Sequence, residues 1–188
     1  MNVLINPGHA LYGNPDPGAV NYEVDVTESE LAYAIGTKTA DYLEKAGCET
    51  RVMQSHNLAG EAPEYPEVIG TANAWGADLF VSIHCNAGGG RGAETFCYDR
   101  YSSAVPCAKF IQNQLSASFP DDPGFRNRGV KYSPGLCVLR LTEMPAVLVE
   151  TAFIDNPEDV RLLIEKTDVF AAAIARGVTD YWQMKVRS

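Results

Sequence analysis

Nowhere in this sequence does an apolar run approach the ~20 residues that a membrane-spanning helix needs, so no membrane span is expected. Cysteine is sparse and unpatterned. The five residues Cys48, Cys85, Cys97, Cys107 and Cys137 are odd in number and form no CxxC pair. That usage argues against a disulfide framework and against a thiolate zinc site. With Cys85, Cys97 and Cys137 in apolar, strand-like runs, it implies buried free thiols and folding in a reducing compartment. Basic residues are also in deficit: 15 Lys and Arg against 24 Asp and Glu give a net charge of -9, which disfavours nucleic acid as a partner. Met1 to Pro7 enters a strand pattern directly, without a basic segment, apolar core and cleavage site. No export signal is visible, so the chain either leaves the cell by other means or has lost a leader. Repeats and low-complexity tails are missing, and the run Ala87-Gly88-Gly89-Gly90-Arg91-Gly92 lacks the spacing and the lysine of a phosphate-binding loop.

What is present fits one soluble globular domain spanning residues 1–188, with 46% apolar and 21% charged residues. Val3-Leu4-Ile5 is a short strand broken by Asn6-Pro7-Gly8, and the proline- and glycine-rich segment 14–19 reads as a rim loop. A helix starts after Thr27 and stops at Gly47, with Thr27 and Glu30 forming a capping box. Thr50 to Met53 is a strand, His56 to Pro66 a polar loop in which His56 is solvated, and Glu67 to Trp75 a helix. Asp78 to Ala87 is a buried strand of near-continuous apolar character, the signature of a central parallel strand. Glu94 to Tyr98 is a strand and Ser102 to Ser118 an amphipathic helix, and Phe119 to Lys131 reads as a loop carrying three cations. Leu136 to Leu141 reads as a short strand and Ala146 to Glu150 as another, ending in a carboxylate. Asn156-Pro157 opens a helix, and Val169 to Trp182 forms the last one. The pattern is α/β, with a mixed, mostly parallel twisted sheet between helices.

Polar residues collect where the apolar strands stop. His9, His84 and Glu150 each follow or close such a run, and in open α/β sheets ligands bind outside the carboxyl ends of strands. Each also has an ordinary reading: a turn histidine for His9 and a hydrogen-bonded strand-end imidazole for His84. Glu30 has its capping role. Glu28, at the first helical position, either interacts with the helix dipole or projects into the cleft. If the four converge, two imidazoles and one carboxylate suffice to hold zinc with a position open for water, and the other carboxylate serves as general base.

Ile5-Asn6-Pro7-Gly8-His9, the Glu28 helix start, Ser82-Ile83-His84-Cys85-Asn86-Ala87 and the segment from Ala146 to Asn156 resemble the zinc-dependent N-acetylmuramoyl-L-alanine amidases, over nearly the whole chain. The resemblance implies a phosphorylase/hydrolase-like fold, Zn2+ held by His9, Glu28 and His84, and Glu150 as the catalytic residue. It implies hydrolysis of the amide joining N-acetylmuramic acid to L-alanine in peptidoglycan, outside the cytoplasm. Asn86 and the backbone near Gly88 are then candidates to hold the stem peptide or the oxyanion. Arg126, Arg128 and Lys131 are candidates to pair with stem-peptide carboxylates. The first histidine departs from the family's GHGG pattern, being followed by Ala10-Leu11. Neither a helix that would plug the site nor an appended wall-binding module is visible, and a monomer is expected. Two rivals remain: a zinc carboxypeptidase or other amide hydrolase on the same architecture, and a non-catalytic wall-binding protein.

Overall fold

Apolar runs in the first, central and late parts of the chain become the middle of one six-stranded sheet. The computed structural model describes residues 1–10, 15–55 and 66–187, so His56 and most of its loop lie outside the described residues. The strands are β1 (Asn2–Pro7), a small hairpin of β2 (Val20–Asn21) and β3 (Val26–Thr27), β4 (Glu49–Val52), β5 (Leu79–Asn86), β6 (Ala93–Cys97), β7 (Asn127–Tyr132) and β8 (Ala146–Phe153). The helices are α1 (Glu28–Lys45), α2 (Thr71–Trp75) preceded by a π-helical turn at Pro66–Gly70, α3 (Val105–Ala117), α4 (Cys137–Arg140), α5 (Pro157–Glu165) and α6 (Thr167–Arg187).

The main sheet runs in the order β4-β1-β5-β8-β6-β7. β4, β1, β5 and β8 are mutually parallel, β6 is antiparallel to β8, and β7 is parallel to β6. From β1 the chain passes through α1 to β4 on one flank, then returns to place β5 on the other flank. The crevice between β1 and β5 is therefore the switch point at which an open sheet receives ligands.

Alternation along β5 assigns its side chains to two cores. Leu79, Val81, Ile83 and Cys85 join the larger core with Val3, Ile5, Val147 and Val149 under α1, α3, α5 and α6. Phe80 joins the smaller one with Leu4 and Leu148, covered by Val68, Ile69 and Ala72 and by Val138 and Leu139. Ser82, His84 and Asn86 share the smaller core's face. Thr27 caps α1 as expected: its hydroxyl accepts from the Glu30 amide while the Glu30 carboxylate accepts from the Thr27 amide. Asn156 caps α5, accepting from Glu158 and Asp159 amides ahead of which Pro157 sits.

Three expectations require correction. The segment 136–141 is a turn of helix, α4, in which Val138 and Leu139 are buried; a run this short suits a strand or one helical turn equally, and Pro134-Gly135 ahead of it favours the turn. The second half of the supposed cationic loop is strand β7, paired with β6. As an edge strand its side chains are largely exposed, so the apolar alternation that would reveal it is missing, and Gly129, at φ 80°, interrupts the register. Finally, β8 continues through Glu150 to Phe153, so the carboxylate lies within the strand and not at its end. Cysteines 85, 97 and 107 are buried and Cys48 and Cys137 half-buried, all as free thiols.

Candidate metal and catalytic site

His9 sits one turn past β1 in a left-handed backbone conformation, φ 64°, which points its ring back over the sheet edge. His84 reaches the same space from β5, and its ring meets that of His9 edge-on with centroids 5.0 Å apart. Glu28, at the first position of α1 and almost wholly buried, closes the group. Its Oε1 lies 3.0 Å from His9 Nε2 and 2.9 Å from His84 Nδ1, and it accepts from the Cys85 amide at 3.1 Å. Its Oε2 accepts from the Ala19 amide at 3.0 Å. The helix-dipole interaction and the cleft role are therefore met by one carboxylate.

Two glycines make this convergence possible. A Cβ on Gly8 would fall 2.2 Å from His84 Cε1, and one on Gly18, at φ +69°, would collide with both His9 and Glu28. Only a bare backbone allows the loops to close around the rings. The loop after β1 also supplies Asp16, whose two carboxylate oxygens each lie 3.0 Å from His9 Nδ1. Because a carboxylate only accepts, Nδ1 carries a proton and Nε2 is the nitrogen turned toward Glu28.

That arrangement tests whether a cation fits. With Nδ1–H committed to Asp16, a neutral His9 presents a lone pair on Nε2 to the lone pairs of Glu28, and His84 Nδ1 faces the same oxygen. Either protons or a metal ion must stand between them. Without metal, protons do: burial pulls the His9 pKa down, but hydrogen bonds to Glu28 and Asp16 and their charges outweigh it and raise it to about 9. Burial likewise works to raise the Glu28 pKa, yet the two imidazoles hold it far below the usual carboxylate range. The ligating atoms of His9, Glu28 and His84 lie within 4.8 Å of one another, the one such group among the described residues. Two nitrogens and one oxygen, with a second carboxylate orienting one imidazole, fit the donor chemistry of zinc with an open position.

Glu150 stands beside His84 in the β5–β8 ladder. Its Oε2 is shut off from solvent and is the single buried side-chain nitrogen or oxygen without a hydrogen-bond partner among the described residues. Burial pushes its pKa up, His84 opposes this, and the charges of Glu28 and Glu94 add to it, bringing it to about 7.

The remaining candidates separate. Asn86 Nδ2 donates to Glu94 Oε1 at 2.7 Å, and its Oδ1 accepts from the Ala87 amide. Arg128 Nε donates to the other oxygen of Glu94 at 2.9 Å, with its guanidinium 4.8 Å from the centre of the Phe153 ring. The Gly88 and Gly89 amides donate to Asp155, so that backbone is already engaged. Arg126 precedes β7 and Lys131 lies along it, both exposed; among the described residues neither joins the Glu94 network. Asp16 and Glu94 were missed from sequence. Asp16 had a signal in its turn-rich DPG loop next to His9, whereas the cross-strand partner of Glu94 is not written in local sequence.

A doubly wound α/β sheet with two imidazoles and a carboxylate converging at its switch point, and an unpartnered carboxylate alongside, defines the class of an α/β protein with a candidate metal-hydrolase centre. The model of the N-acetylmuramoyl-L-alanine amidase family matches residues 3–180, and the chain belongs to that family. It is 32% identical over 177 residues to the N-acetylmuramoyl-L-alanine amidase CwlM of Bacillus licheniformis and, likewise, to the sporulation-specific N-acetylmuramoyl-L-alanine amidase of Bacillus subtilis strain 168. Each alignment covers 94% of this chain and 65% of the relative, so the chain spans a little under two thirds of their length. The solved N-acetylmuramoyl-L-alanine amidase AmiC2 of Nostoc punctiforme superposes with a TM-score of 0.81 at 29% identity, covering 97% of both chains.

Proposed function

We propose that this chain is a zinc-dependent N-acetylmuramoyl-L-alanine amidase that acts on cell-wall peptidoglycan, cleaving the amide between N-acetylmuramic acid and L-alanine. The observation that carries the reading is Glu150 Oε2, buried and unpartnered beside His9, Glu28 and His84. An acceptor left in that state costs stability, and a hydrolytic site supplies the reason to keep it. His9, Glu28 and His84 would hold the zinc ion, with Asp16 fixing the His9 tautomer. Zinc, when bound at such a donor set, polarises the scissile carbonyl and lowers the pKa of water. Glu150 takes the proton of the attacking water and delivers it to the L-alanine nitrogen as the carbon–nitrogen bond breaks. Its placement in the rigid interior of β8 holds it beside His84 for both transfers.

Membership in the family and the site geometry support this assignment. The test is digestion of purified peptidoglycan by zinc-loaded protein, with the new termini identified. New L-alanine amino termini are expected. Free amino acids released from peptide ends would indicate a carboxypeptidase instead, and binding without cleavage a wall-binding protein. In parallel, Glu150→Gln is expected to keep its zinc while activity falls roughly 10²- to 10⁴-fold; loss of zinc together with activity would make Glu150 a ligand and overturn the division of roles.

A further inference from the structure

Register across the sheet places four polar residues in one transverse row. His84 on β5 pairs with Glu150 on β8, and Glu150 pairs with Glu94 on β6. On β7 the register breaks between the pairs Ala93 with Asn127 and Thr95 with Val130, so Glu94 lies opposite Arg128 and Gly129. The side chains follow the row, since Glu94 is buried and holds Arg128 through Nε. The guanidinium plane is kept in place by Phe153 on its face. Arg128 has five N–H donors, and among the described residues only Nε has a partner. Its Nη groups remain, on a side chain that is about one-third exposed, in a chain otherwise strongly acidic.

The geometry points to Arg128 as the residue that receives a carboxylate of the leaving peptide, making the site selective for a free acid over the corresponding amide at the residue after L-alanine. This assignment rests on the amidase reading. Two strand spacings separate Glu150 from β7, roughly 10 Å, and Arg128 leans back along the row onto Glu94. A carboxylate on the second residue of the peptide lies roughly two residues' reach, about 7 Å, from the scissile nitrogen. A guanidinium whose orientation is already set loses little freedom on pairing with a carboxylate. Glu94 and Asn86 thereby become positioning residues: Glu94 orients the arginine, and Asn86 orients Glu94.

Two synthetic muropeptides test this, identical except for a carboxylate or a carboxamide on the residue after L-alanine. Zinc-loaded wild type is expected to cleave the acid with kcat/KM roughly tenfold to a hundredfold above the amide, the range of a charge-assisted hydrogen bond. In Arg128→Met that ratio collapses to near one, mainly through KM. Removing the arginine leaves the buried Glu94 charge without its cation, so the double variant Glu94→Gln, Arg128→Gln, which carries no orphaned charge, provides a second reading with the same expected ratio. Because the ratio is taken within each protein, loss of overall activity does not imitate the effect. Equal cleavage by wild type, or a preference that survives in either variant, overturns the assignment while leaving the amidase reading intact. Loss of the preference in Arg126→Met or Lys131→Met instead would move the carboxylate site elsewhere on β7. Cleavage of neither substrate would sink the amidase reading and this assignment with it.

Discussion

Asp16 shows how much a single side chain outside the donor set controls. Among the described residues its carboxylate bonds to neither Glu28 nor His84, yet both of its oxygens face His9 Nδ1, and one also accepts from the Gly18 amide, tying ring and loop together. Substitution by alanine leaves His9 free to rotate and to place its proton on either nitrogen. Partners of this kind typically alter metal affinity 10- to 100-fold. Asp16→Ala is expected to weaken zinc binding by about that factor, measured by competition with a chelator of known affinity, with little change in the fold. Unchanged affinity would mean that the ring is oriented by packing alone. Glu28 makes a different point: a glutamate opening a helix has a sufficient reason to exist in the dipole, and it is the approach of His9 from the loop after β1 and of His84 from β5 that gives it partners in the cleft. The strand-end histidines and the family resemblance point to that approach, but the spacing along the chain alone leaves Glu28 with either reading.

Among the elements, α1 connects fold and site most directly. Its capping box fixes where the helix begins, and the Glu28 and Ser29 amides donate to Ala19 and Pro17 carbonyls of the rim loop, so cap and loop together set the position of Glu28. Thr27→Ala removes the hydroxyl that accepts from the Glu30 amide. A lost cap of this type costs about 1 kcal/mol, which for a chain of this size lowers Tm by roughly 2–4 °C. Calorimetry is expected to show that decrease, along with faster stripping of zinc by chelator as the first turn frays; a lower Tm with unchanged stripping would separate the cap from the site. Five strands of the main sheet were legible in sequence: β1, β5 and β8, where nearly every residue contributes to a buried apolar run, and the shorter β4 and β6. β7 was not: it is an exposed edge strand like β4, but Gly129 breaks its register and Arg128 and Lys131 give it the composition of a charged loop. α4 was not, because four residues hold too little periodicity to choose between two conformations. Arg128 and Glu94 depend on that unread strand, so their pairing was out of reach as well.

For the molecule as a whole, the cluster makes stability depend on pH in a way that metal should reverse. In metal-free protein, His9 has a folded pKa raised from 6.5 to about 9. Protonated His9 therefore contributes stability that is fully present below pH 6.5 and lost as pH rises through 9. Glu150, raised from 4.5 to about 7, acts in the same direction: the folded state holds its proton more tightly, so stability is lost as pH rises from 4.5 through 7. Glu28, depressed below its ordinary value, acts oppositely, stabilising above pH 4.5 and failing only in stronger acid. Chelated protein is therefore expected to be most stable near pH 4.5–6 and to weaken steadily toward pH 9, the His9 share amounting to at most about 3 kcal/mol. On the proposed reading zinc would take the place of the proton on His9, so the stabilisation it gives is expected to grow over the same range as proton competition fades. Thermal melts of chelated and zinc-loaded protein from pH 5 to pH 9 check both trends. The Tm difference between the two forms is expected to widen with pH, and to widen less in Asp16→Ala, where one of the groups that raises the His9 pKa is gone. A chelated protein whose Tm rises from pH 6 to pH 9 would show that His9 is not held as an imidazolium, and that Glu28 and His84 meet by some other arrangement of protons.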